Sequence, residues 1–200
     1  DVYKRQVEAC TPTGGEALRK VLELIGDKEG DPDRYLESRE PSGLIVLPFL
    51  SGSRAPDWNP DLRGLVYGLS LSSSRGDLVK AFMEGVAFWE RHILEEFEKL
   101  GFRPREVRLV GGGATQNWGT IKANVTGRRF SIPSERDASA LGAAMLAGIG
   151  YGVYRSAGDA QTLVRAEHVI DPDAGIFAVY NRLYERYMEL WRALQNIVDR

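Results

Sequence analysis

The chain has little cysteine and little histidine: one thiol, Cys10, and two imidazoles, His92 and His168, far apart in sequence. A single cysteine excludes an internal disulfide and fits a reducing compartment, so a cytoplasmic location is expected. Isolated histidines leave little material for a metal cluster or a His-based triad, and no metal-ligating set is assigned. An excess of one charge is lacking too, since 26 Lys and Arg stand against 28 Asp and Glu, spread along the chain. That balance favours neither nucleic acid nor an anionic membrane as a partner. The longest apolar run, residues 44–50, is broken by Pro48 and is far too short to span a bilayer. No signal peptide, internal repeat or low-complexity linker is legible. What is present is a chain of 200 residues, 43% hydrophobic, enough for one domain or a domain and a half with a core of its own.

Local patterns predict alternating helices and strands. Ala17, Leu18, Val21, Leu22 and Ile25 recur at helical spacing over residues 16–25, and Gly26 closes that helix. Residues 27–42 are charged and rich in turn formers, so they read as a surface connection or a short helix. Two strands, 43–49 and 65–69, flank a long loop punctuated by Pro56 and Pro60, in which Trp58 argues for packing. The longest helix is expected over 78–100, with Phe82, Val86, Trp89, Ile93, Leu94 and Phe97 as its apolar stripe. A strand over 107–110, a helix over 116–126 and a strand over 128–132, stopped by Pro133, come next. A helix of small residues follows over 137–147, then a glycine-rich loop over 148–152. The final helix, 175–198, turns Tyr180, Tyr184, Tyr187 and Trp191 inward. This order predicts an α/β fold with a mainly parallel or mixed sheet covered on both faces, and places a ligand at the strand ends.

The stretch that organises the chain is Val110, Gly111, Gly112, Gly113, Ala114, Thr115, Gln116 and Asn117. A strand, a glycine turn and a helix N-terminus capped near Ala114 or Thr115 present several backbone N–H groups, a site where a phosphate sits without a cationic side chain. The same triplet also serves to pack a helix tightly on a sheet. A dinucleotide-binding Rossmann turn is one reading, with Glu135 as the ribose acid. Against it, Gln116 stands where a third glycine belongs, and the unit comes late in the chain. Asp57, Glu135 and Asp137 are the acids that could serve as a base or Mg²⁺ ligand. Asp57 reads better as a turn residue beside Pro56 and Asp137 as a helix N-terminal residue, so no catalytic residue is assigned.

Taken together, several motifs point to one family. They are Thr13-Gly-Gly-Glu-Ala-Leu-Arg19, the proline-rich loop from Leu47 to Gly64, and Gly64 to Ser70 followed by Asp77 to Gly85. Gly111, Gly112, Gly113 and Asn117, then Ala140-Leu-Gly-Ala-Ala144, complete the order. From about residue 10 onward the chain resembles the C-terminal lobe of the FGGY carbohydrate kinases, most closely the xylulokinase and gluconokinase branch. The resemblance implies an actin-like, ribonuclease-H-like ATPase lobe, a mixed sheet flanked by helices, that binds ATP with Mg²⁺ against a second lobe carrying the sugar. The whole protein would be a phosphotransferase acting on a hydroxyl of a pentulose such as xylulose, or of a related sugar acid or polyol. A non-catalytic actin-like nucleotide-binding module is the alternative.

By position, the resemblance assigns nucleotide contact to Gly112, Gly113 and Asn117, and lining of the same site to Gly15 and Arg19. The family's sugar-binding lobe, its catalytic aspartate and a second phosphate hairpin have no counterpart, and residues 1–9 stay unassigned. The sequence therefore reads as truncated at its N-terminus and inactive by itself, with residues 10–200 as the nucleotide-binding lobe. Expected partners are a sugar bound through the missing lobe and, left open, a second copy of the chain. A Cβ at Gly113 is expected to push into the nucleotide at modest cost in stability.

Overall fold

The protein, seen in a computed structural model, is described for residues 7–36 and 40–198. The unassigned start over residues 1–6 lies outside the described residues, as does part of the 27–42 connection.

The architecture is built around one helix. α1 (Gly14–Leu24) is followed by a short 3₁₀ turn (Pro32–Tyr35), by strands β1 (Ile45–Leu47) and β2 (Leu65–Tyr67), and by α2 (Arg75–Lys99). α2 starts at a capping box, in which the Ser74 side chain accepts from the Asp77 amide and Asp77 accepts from the Ser74 amide, satisfying two donors at once. The expected stripe understates its burial: every residue from Val79 to Trp89 is buried, including Lys80 and Glu84. The reason is tertiary, since α1, the 3₁₀ turn, β1 and the later helix Gln116–Thr126 all pack around it. At Gly85 an added Cβ would stand 2.5 Å from the carbonyl oxygen of Val46, so only glycine lets the helix lie this close to β1.

The second half forms the α/β unit. β3 (Val107–Arg108), α3 (Gln116–Thr126), β4 (Phe130–Pro133), α4 (Ala138–Tyr151), α5 (Ala157–Ala160), β5 (Ala166–Ile170) and α6 (Ala174–Val198) follow in order. β1 and β2 pair antiparallel, with Val46 opposite Val66. The three-stranded sheet runs β3-β4-β5, with β3 parallel and β5 antiparallel to β4, so the sheet is mixed as expected. A large core gathers around α2 and the buried Tyr180, Tyr184 and Tyr187 of α6. A smaller one, with Phe130, Ile132 and Ile170, fills the space between the sheet and α3.

Several expectations change. β5 is a strand that no pattern announced, because its pairing with β4 rather than its own alternation holds it in place. Pro133 ends β4 from inside the strand. α4 does not stop at residue 147 but continues through Gly148 and Gly150. A Cβ on Gly148 would meet the Tyr154 ring at 2.6 Å, so that glycine is kept for ring packing rather than for a turn. Trp58 is 72% exposed and does not anchor the long loop. The anchors are buried Leu62, the paired Ser53 and Asn59 backbones, and Trp89, whose Nε1 donates to the Ala55 carbonyl at 2.6 Å.

His92 offers a pH test of the core. It is buried beside Glu96, with its ring edge-on to Trp191 at 4.9 Å. Burial lowers its pKa from 6.5, against the opposing pull of Glu96, Asp57 and Glu95, while Lys99 adds to the lowering. The unfolded chain therefore takes the proton first as pH falls. The stabilising difference is present above 6.5 and is lost as pH drops toward the folded-state value. Denaturant titrations from about pH 7 to about pH 5 should show the parent losing more stability than His92→Gln. Parallel curves would contradict the assignment.

Candidate functional site

The glycine loop sits where β3 hands over to α3. Gly111 adopts φ +82°, a left-handed conformation that favours glycine, and its amide donates to the Arg136 carbonyl at 3.0 Å. That bond ties the loop to the segment leading into α4. Thr115 is the N-cap of α3, its side chain accepting from the Trp118 amide at 3.2 Å. The Ala114 and Thr115 amides turn back onto the carbonyls of Gly111 and Gly113. Among the described residues, the amides of Gly112, Gly113, Gln116 and Asn117 have no partner within the chain. A loop-to-helix turn with free N–H groups carries the positive end of the helix dipole, and this suits an anion.

The glycines differ in what surrounds them. Nothing stands within 4 Å of a Cβ built on Gly112. At Gly113 the Cβ would approach Cζ3 of Trp118 at 2.8 Å. Trp118 is 4% exposed and its Nε1 donates to the Met83 carbonyl at 3.2 Å. A side chain at position 113 therefore collides with the core rather than with a ligand, which corrects the expected modest cost in stability. Gly111 and Gly112 line a cleft of about 450 Å³ with Val110, Arg136 and the start of α4.

Asn117 faces a different cleft, of about 620 Å³, with Leu36, Lys80, Thr120, Ile121, Asn124 and Tyr180 in its walls. Its side chain lies beside Asp33, whose carboxyl is raised by burial while Asn117 pulls it down. One Asp33 oxygen is buried without a hydrogen-bond partner among the described residues. Lys80, its pKa lowered by burial, donates from Nζ to the Glu40 carbonyl. Four residues C-terminal to it on α2, Glu84 accepts from the Ser42 amide, the Ser42 hydroxyl and the Tyr180 hydroxyl, the last at 2.8 Å. Neither Lys80 nor Glu84 was singled out from the sequence. The available signal was two charges, four apart, inside an otherwise apolar stretch of α2.

Gly15 and Arg19 lie elsewhere. Both are exposed on α1, and Arg19 is held by Glu16 at 2.5 Å and Glu23 at 3.7 Å. Neither lines the two clefts above. Glu135 accepts from the Asp137 amide and Asp137 caps α4 by accepting from the Ala140 amide, so both acids serve the backbone. Asp57 lies with Pro56 and His92 around a third cleft.

Comparison with known proteins adds the following. The sequence model for the FGGY family of carbohydrate kinases, C-terminal domain, matches residues 18–151. A glycerol kinase of Alteromonas mediterranea is 30% identical over 156 residues, 78% of this chain and 32% of its own. The crystal structure of xylulose kinase from Rhodospirillum rubrum is 30% identical, with a TM-score of 0.83 over 96% of this chain and 40% of that one. The gluconate kinase of Lactobacillus acidophilus is 25% identical, with a TM-score of 0.81 over 92% of this chain and 39% of that one. The chain thus spans about a third of the length of the curated relatives it matches. With its glycine loop, its mixed sheet and a match across two thirds of its residues, the chain belongs to the FGGY family of carbohydrate kinases and carries the family's C-terminal domain, an actin-like α/β lobe.

Proposed function

We propose that the chain is the nucleotide-binding lobe of an ATP-dependent kinase that transfers the γ-phosphate to a hydroxyl of a small sugar or polyol. Candidate acceptors are a pentulose such as xylulose or a related sugar acid or polyol. The observation that carries this reading is the set of unpartnered amides at Gly112, Gly113, Gln116 and Asn117 beside an open cleft. Phosphoryl transfer depends on positioned phosphates and neutralised charge, and free N–H groups at a helix start provide the first of these. Gly112 admits a phosphate closely because no atom stands where its Cβ would be. Asn117 supports the nucleotide from the neighbouring cleft, and Gly15 and Arg19 belong to a separate wall at the start of α1. Mg²⁺ would come with the triphosphate. The described residues gather no cluster of three or more His, Cys, Asp or Glu side chains, and none is assigned to the ion. The base that accepts the acceptor's proton, and the sugar pocket, are placed on another lobe, so the chain by itself is expected to produce no sugar-dependent ADP.

Calorimetry with ATP, ADP and NADH on the parent and on Gly112→Val tests this reading. The variant should weaken ADP binding roughly tenfold or more while leaving the melting temperature unchanged, since its side chain enters the cleft and not the core. Gly113→Val should instead lower the melting temperature through Trp118. Undiminished ADP binding by Gly112→Val, or a preference for NADH, would overturn the proposal.

A further inference from the structure

The cleft beside His92, of about 470 Å³, shares no lining residue with the clefts at the glycine loop and at Asn117. Three elements meet there. Asp57 comes from the long loop between β1 and β2, His92 and Glu96 from α2, and Trp191 and Arg192 from α6. His92 is only 6% exposed. Neither of its ring nitrogens has a hydrogen-bond partner among the described residues, and Glu96, at 3.8 Å, is too far away to be one. A polar group buried to this degree is normally satisfied, so its partner belongs in the cleft.

The charges around the imidazole are incompletely paired. Glu96 is held by Lys99, 2.5 Å away. Asp57 and Arg192 are both exposed, and neither makes a hydrogen bond or ion pair with any described residue. Asp57 stands near enough for its charge to act on the His92 ring. Leu100, Met188 and Trp191 supply apolar wall. The cleft therefore offers one spare negative charge, one spare positive charge, an unsatisfied imidazole and an apolar surface. Water would serve the imidazole but not that surface. A simple anion would meet Asp57, and a simple cation would meet Arg192. A metal ion would face Lys99 as well, and the described residues gather no cluster of three ligating side chains.

We propose that this cleft binds a small zwitterion with an apolar arm, a free α-amino acid with an apolar side chain, its ammonium on Asp57, its carboxylate on Arg192 and its side chain against Met188 and Trp191. Such a ligand carries a donor and an acceptor, so it satisfies whichever His92 nitrogen faces it. The volume lies within the roughly 300–1,000 Å³ usual for small-molecule sites. Because the site shares nothing with the glycine loop, it stands or falls apart from the nucleotide reading. A bound amino acid ties the long loop to α2 and α6, and should raise the melting temperature as its concentration rises.

Calorimetry on this chain at neutral pH tests the proposal with L-leucine, L-methionine and L-phenylalanine as probes. L-Phenylalanine should bind with a Kd of about a millimolar or better, as its size allows. Two analogues lacking one charge, 3-phenylpropionate and phenethylamine, should each bind roughly tenfold more weakly or worse. Asp57→Asn and Arg192→Gln change exposed residues and should leave the ligand-free melting temperature unchanged, yet each should weaken L-phenylalanine roughly tenfold. Asp57→Asn should also lose the preference for L-phenylalanine over 3-phenylpropionate, a change that a purely structural role would not produce. Three results overturn the proposal: no binding by any of the three amino acids up to about 10 mM, a one-charge analogue that binds the parent as tightly as L-phenylalanine, or undiminished L-phenylalanine binding by both variants. The analogue comparison uses the parent alone, so it holds even if a variant fails to fold.

Discussion

Trp89→Ala should destabilise the chain by about 3–5 kcal/mol, a large part of the roughly 5–15 kcal/mol that holds an ordinary domain together. Trp89 is 1% exposed at the middle of α2, and its ring meets Phe49 edge-on with centroids 4.8 Å apart. Its Nε1 donates to the Ala55 carbonyl, so the same side chain fills the core and pins the loop between β1 and β2. Truncation opens a cavity and removes the shorter of the two hydrogen bonds to the Ala55 carbonyl, leaving only the Ser53 hydroxyl at 3.3 Å. Trp89→Phe keeps much of the packing and loses the N–H, so it should cost less. Denaturant unfolding measures both variants. A Trp89→Ala midpoint near that of the parent would show that the loop and core do not depend on this ring.

The second large effect is expected at Glu84. Its carboxyl is 1% exposed and joins three elements by accepting from Ser42, ahead of β1, and from Tyr180 of α6. Burial raises its pKa, opposed by the Ser42 and Tyr180 donors and by Lys80. Glu84→Ala leaves the buried Tyr180 hydroxyl and the half-buried Ser42 amide without their acceptor and should cost about 3–5 kcal/mol. Glu84→Gln keeps one acceptor oxygen and resembles the protonated acid, so it should cost less. The folded-state value lies above the unfolded one, so this carboxyl contributes fully below the unfolded value and progressively less as pH rises through the folded one. The gap between parent and Glu84→Gln should therefore narrow as pH rises. Equal losses from the two variants would mean that the acceptor role is unimportant and that only volume counts.

Much of the fold was legible because its signals are local. α3 begins and ends where expected, since the Thr115 cap and the left-handed Gly127 after Thr126 are both written into neighbouring residues. The glycine loop between β3 and α3 was legible for the same reason, and the order of short motifs pointed to the family. Elements that exist through partners were not legible. β5 needs β4 beside it, and nothing in its own residues alternates clearly between buried and exposed. Burial of Lys80 and Glu84 depends on Ser42, Tyr180 and Glu40, which are distant in sequence.

The sequence by itself determined which residues could form helices, where the chain must turn, and that a free-amide turn at residues 111–117 could receive an anion. Those properties depend on backbone conformation and on neighbours within a few positions. Only the tertiary structure decided what each glycine is for: Gly113 makes room for the Trp118 ring, whereas Gly112 opens onto a cleft. It also separated Asn117 from Gly15 and Arg19, and left α4 without a buried residue among the described ones. Such outcomes depend on which distant atoms come within a few ångströms, and the spacing of residues along a chain carries no record of that distance.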